Sequence, residues 1–131
     1  MSYELSYFSK GFHLCFHGDV SIDEINSANG AIQGHNEFDD HRYQLVDFLD
    51  ADLSSVIEED GEFPAVTDSV ASQTTQLYVK VAFVVQESYA IDIVKSYVNY
   101  ARQLVPKWHF GVFSSRASAL RWVNNSSLAS K

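Results

Sequence analysis

The stretch RYQLVDFLDAD (42–52) decides how this chain is read. Leu45, Val46, Phe48 and Leu49 make a nearly unbroken apolar run with Asp47 inside it, closed by Asp50, Ala51 and Asp52. A short apolar run bounded by charge predicts a strand buried on both faces, as in a parallel sheet. In open α/β sheets, ligands and partners meet the chain at the C-terminal ends of the strands. Asp47, Asp50, Asp52, Ser54 and Ser55 therefore form the candidate ligand or partner loop.

Working outward, VAFVV (81–85) predicts a second interior strand, and WHFGVF (108–113) the last one. Towards the N-terminus, YELSYF (3–8) and FHLCFH (12–17) both alternate and are separated by Ser9-Lys10-Gly11, which predicts a β-hairpin. Ser21 and Glu24 have the spacing of a capping box, with Val20 and Ile25 as its hydrophobic staple. Ile22, Ile25, Ala28 or Asn29, and Ile32 then give a core-facing helical stripe, with Gly34 as its stop. A helix from about Pro64 is expected to bury Val66, Val70, Thr74 and Leu77. Another, over 88–105, carries Ala90, Ile91, Val94, Tyr97, Val98, Ala101 and Leu104 and is stopped by Pro106. Ser114 or Ser115 caps a final helix with Ala119, Leu120, Trp122 and Val123.

The expected architecture is a single α/β domain over 1–131, with 124–131 as a frayed tail. It has a mainly parallel or mixed five-stranded sheet and about four helices in the order ββαβαβαβα.

Composition narrows the function classes. A chain of 131 residues with 46% apolar and 14% aromatic residues can bury a core of its own. No run of about 18 apolar residues is present, so no transmembrane helix is expected, and the N-terminus does not read as a signal peptide. Cys15, the only cysteine, excludes an internal disulfide and suits a reducing cytoplasm. The net charge is −8, and all 17 acids lie in 1–92, whereas 93–131 holds Lys95, Arg102, Lys107, Arg116, Arg121 and Lys131 and no acid. An acidic chain repels phosphate backbones, so no nucleic-acid partner is expected. The asymmetry reads as a solvated surface whose halves attract each other, with self-association as the alternative.

Metal and catalytic motifs fail on geometry. His13 and His17 on one strand stand roughly 13 Å apart, whereas ligands of one ion lie within about 2.3 Å of it. The loop 35–41 clusters His35, Glu37, Asp39, Asp40 and His41, and reads as a solvated loop anchored by Phe38. In an EF-hand register from Asp50, Ser55 falls where glycine is required and Gly61 where a bidentate glutamate is required. The glycines build no P-loop or dinucleotide fingerprint, and no GxSxG, CxxC or HExxH occurs. Neither a cofactor nor a metal nor an enzymatic activity is expected. Tyr97 and Tyr100 read as packing residues.

Gly18-Asp19-Val20, HNEF (35–38), LVDF (45–48), VAFVV with its long following helix, and VFSSRASALRWV (112–123) together resemble the SpoIIAA-like family, relatives of the STAS domains of anti-sigma-factor antagonists. The resemblance implies a β-α superhelix in a small cytoplasmic protein that binds proteins or small ligands. The family's phosphorylatable serine follows a D-S-S-G type of motif. Here the corresponding loop is DADLSSV (50–56), with no glycine after Ser55 and with seven acids in 47–62 that oppose an added phosphate. The resulting expectation is a non-catalytic interaction or regulatory module, with a protein partner or a homodimer. The alternative is a small apolar-ligand (lipid-like) binder with a pocket between the sheet and helix 88–105.

Overall fold

A computed structural model of the protein describes residues 2–75 and 78–125. The chain opens with the expected hairpin, β1 (Tyr3–Phe8) against β2 (Gly11–Asp19), paired antiparallel. Its turn is made by Ser9 and Lys10, both with positive φ (53° and 68°), the geometry of a two-residue hairpin turn. Gly11 belongs to the strand and not to the connection. The Tyr43 ring lies over it, and a Cβ there would stand 2.1 Å from Tyr43 Cζ. The glycine is needed for close approach, so Ser9 and Lys10 take the left-handed conformations.

The remaining elements follow as α1 (Ile22–Gln33), β3 (Tyr43–Asp52), α2 (Glu62–Ala71), β4 (Lys80–Val84), α3 (Ser88–Leu104), β5 (His109–Phe113) and α4 (Arg116–Asn124). This is the expected α/β order with a five-stranded mixed sheet and four helices. The strands lie side by side in chain order, and β2, β3, β4 and β5 are mutually parallel. Each crossover moves one strand along in the same direction, which keeps α1, α2 and α3 on one face. Strand order never reverses, so the sheet has no topological switch point of the kind that forms a ligand crevice.

Side chains alternate accordingly. Leu14, Phe16, Val46, Phe48, Val81, Phe83 and Phe110 form the larger core with α1–α3. Tyr43, Leu45, Ala82 and Val84 meet Ala119 and Val123 of α4 on the other side. Strand β3 is buried continuously only from Tyr43 to Phe48, and then alternates towards solvent. The double burial expected for the whole stretch holds where both helical layers overlap.

Capping follows the sequence closely. Ser21 and Glu24 form the capping box on α1, and Ser115 caps α4. Glu87 caps α3 by accepting from the Tyr89 and Ala90 amides. Gly34 ends α1 with right-handed backbone (φ −88°), so it is not a left-handed stop.

The face of α2 is the main departure. Val66 and Val70 are 47% and 65% exposed, whereas Pro64, Ala65 and Asp68 are buried. The helix ends at Ala71 in a 3-10 turn over Ser72–Thr74, and Leu77 lies outside the described residues. The rotation has a local cause: Asp68 finds hydrogen-bond donors only on the inner side, among α1 and α3. On α3, Ile93 joins the core while Leu104 is largely exposed.

Candidate functional site

The candidate loop read from the sequence is divided by the fold. Asp47, Asp50 and Asp52 lie within β3, because β2 continues alongside and pairs His17 with Asp50 and Asp19 with Asp52. Asp47 is buried on the α4 side. It accepts from the Leu49 amide (2.9 Å) and from Arg116 Nε, while Arg116 also reaches Asp50 at 3.4 Å. The Asp47 carboxylate raises the Arg116 pKa further. Among the described residues these are the ion pairs that join the acidic and basic parts of the chain.

Asp52 accepts from the Ser54 amide (2.9 Å), which holds its carboxyl below the ordinary value. The Ser55 hydroxyl donates to the Val20 carbonyl (3.1 Å) and ties the turn to the start of α1. Two acids thus pin α4, and the remaining residues shape a turn. The five residues do not converge on one point.

Other cations serve helix and turn ends in place of acids. Lys107 donates to the Thr75 carbonyl (2.6 Å), and Lys80 to the Trp122 carbonyl (2.9 Å) at the C-terminus of α4. His13 is bonded to the Tyr43 hydroxyl (2.7 Å) and stacks on Phe8. Burial, with Asp47 next in effect, pushes the Cys15 thiol up, away from thiolate chemistry.

The feature with the geometry of a site lies on the opposite face, between the sheet and α1–α3. It is a partly open cavity of about 80 Å³ with a mostly apolar wall that includes Ile25, Val46, Phe48, Val56 and Val94. A water needs roughly 10–15 Å³ of such space and benzene an apolar cavity of roughly 150 Å³, so the cavity encloses only part of a ring-sized molecule and its opening takes the rest.

Four polar side chains interrupt that wall: Asn29, Gln44, Asp68 and Tyr97. Asp68, only 3% exposed, stands where α1, α2 and α3 meet. Its Oδ1 accepts from Gln33 Nε2 (2.7 Å) and Asn29 Nδ2 (3.2 Å), and its Oδ2 from the Tyr97 hydroxyl. Burial outweighs these three donors, and the carboxyl pKa is pushed up to about 6. Burial also pushes the Tyr97 hydroxyl well up, with the Asp68 charge adding to it. The Tyr97 ring meanwhile packs edge-on against Phe83 and Phe110, so its packing role and its polar role coexist. A titratable group displaced by desolvation within a cavity is the physical mark of a binding or reactive position.

Sequence reading missed Asp68 because it sits beside Thr67 and Ser69 on a helix whose valines suggested another inner face. The available signal lay on the neighbouring helices. Asn29 and Tyr97 are polar residues on otherwise apolar stripes, and such residues need a buried partner.

Because the folded carboxyl binds its proton more tightly than the unfolded one, Asp68 contributes stability below about pH 4 that is lost as pH rises through about 6. Asp68→Asn removes this dependence. Its stability relative to wild type is expected to rise between those pH values by on the order of 2–3 kcal/mol, measured by urea unfolding across the range; a constant difference contradicts the assignment. Comparison with known proteins leaves the fold and this cavity as the basis for function: no protein-family model matches the chain, and no curated protein matches it.

Proposed function

We propose that the chain is a non-catalytic binding module of the SpoIIAA-like type, whose ligand is a small apolar molecule held between the sheet and α1–α3. The observation that carries this reading is the cavity itself: apolar walls from six elements, a few convergent polar groups and one displaced carboxyl, the usual make-up of a small-molecule site. The one-directional winding of the sheet supports the family resemblance, and the free Cys15 suits a cytoplasmic location. Among the described residues no helix is long and apolar enough to cross a membrane.

Toluene is a suitable first probe. Titrated into the protein, it is expected to shift the methyl resonances of Ile25, Val46 and Val94 together, and Val46→Phe, which fills the space, is expected to abolish the shifts. Wild-type methyls that stay still at saturating toluene contradict the reading.

A second reading, contact with a protein partner or a second copy of the chain, is favoured by the outer face of α2. Phe63 (60% exposed), Val66 and Val70 line up at i, i+3 and i+7, the spacing of one helical stripe. If this stripe makes a homodimer, light scattering gives twice the chain mass, and Val70→Glu restores the monomer. A wild-type monomer at high concentration removes self-association from this reading.

A further inference from the structure

We propose that the cavity selects its occupant for hydrogen-bond donation: it takes a small apolar amine or alcohol and refuses a carboxylate of the same size. The inference rests on the reading of the cavity as a ligand site and concerns what the polar part of its wall can recognise.

The argument is an account of every donor and acceptor on that wall. His41 is fully buried behind Gln44, and its Nδ1 faces the Phe38 carbonyl oxygen. A carbonyl can only accept, so Nδ1 carries the ring proton. Burial depresses the His41 pKa and keeps the ring neutral, which leaves Nε2 as a bare acceptor. Gln44 lies 3.2 Å from that nitrogen and must present its amide N–H₂ to it. The orientation of the Gln44 amide is thereby fixed, and its Oε1 receives no hydrogen bond from the described residues. Gln44 is 4% exposed and lines the cavity.

The same reasoning applies across the cavity. Asn29 must aim its N–H₂ at Asp68 Oδ1, because a carboxylate cannot donate. Its own Oδ1 is left without a donor from the described residues. The Tyr97 hydroxyl gives its proton to Asp68 Oδ2. Asp68 itself accepts two bonds on Oδ1 and one on Oδ2, which leaves a lone pair on Oδ2.

Apart from the second N–H of Gln44, the side-chain donors of the wall are therefore committed within the protein, and the other groups left over are acceptors: Gln44 Oε1, Asn29 Oδ1 and the remaining lone pair of Asp68. A hydroxyl or ammonium group completes such a set. A carboxylate meets at most the one spare Gln44 N–H among lone pairs and a negative charge, and burying it there leaves most of its lone pairs without a partner. An ammonium has the further attraction of the ionised Asp68 carboxylate, and bonds to charged groups are the stronger kind.

Four probes on one ring separate the possibilities: benzylamine, benzyl alcohol, toluene and benzoate, titrated at neutral pH and followed through the cavity methyl resonances. Benzyl alcohol is expected to bind about tenfold more tightly than toluene, benzylamine at least as tightly as the alcohol, and benzoate not at all. Gln44→Leu, which removes one of the three acceptors, is expected to weaken binding of the alcohol several-fold while toluene itself is unaffected. Asp68→Asn, which keeps the shape, is expected to remove the advantage of the amine over the alcohol. Should Gln44→Leu fail to fold, the wild-type series and Asp68→Asn still decide the matter. Toluene binding as tightly as the alcohol, or benzoate binding best, overturns donor selection and leaves the cavity as a ligand site. If none of the four shifts the methyls, both the selection rule and the ligand reading fall.

Discussion

One carboxylate removed from water organises the larger face of this protein. An ionised acid in an apolar interior is tolerated only when its oxygens are hydrogen-bonded, and Asp68 obtains its donors from two other helices, Asn29 and Gln33 of α1 and Tyr97 of α3. The three crossover helices are thus fixed to one another by polar side chains that converge on a single point. Side chains that reach for a shared carboxyl cannot also close over the sheet beneath them. The space above Val46 and Phe48 stays open. The orientation of α2, the exposure of its valines and the cavity follow from where Asp68 must point.

The opposite face is governed by a different acid. Asp47, in the middle of β3, engages Arg116 at the start of α4 and the Leu49 amide. Small residues allow α4 to lie close to the sheet: Ala119 packs with Ala82 and Val84 in the smaller core. The two faces divide the work. One is closed by an ion pair and short side chains, and the other keeps a volume open. The charge asymmetry along the chain contributes little to this, because Arg102 and Lys107 bind backbone carbonyls and not the acids of the first 92 residues.

The element order, the strand pairing and most helix starts were legible in the residues, because they rest on local rules: alternation in 3–8 and 12–17, the Ser21–Glu24 box, the apolar runs at 45–49 and 81–85. The extent of β3 was not, because its last residues are strand only through pairing with His17–Asp19 beyond an irregularity in β2. Asp50 and Asp52 consequently left the expected loop. The inner face of α2 was hidden for a related reason. Helical periodicity ranks residues by hydropathy, and it places a buried aspartate outside and an exposed valine inside. Tyr97 fell on the expected stripe, but nothing local reveals that its hydroxyl reaches Asp68. Half of the candidate site, the apolar wall, could be anticipated as a pocket beside helix 88–105; its polar half depends on contacts between residues about 30 to 40 positions apart, by the sequence numbering of Asn29, Asp68 and Tyr97.

The state of the Asp68 carboxyl is the point on which this account turns, and it can be observed without perturbing the protein. The ¹³Cγ resonance of Asp68, followed through a pH titration of the folded chain, is predicted to move with a midpoint near 6. A midpoint at or below the ordinary aspartate value of about 3.9 would mean that desolvation does not outweigh the three donors, and the account of Asp68 as a displaced carboxyl in the cavity wall would be contradicted.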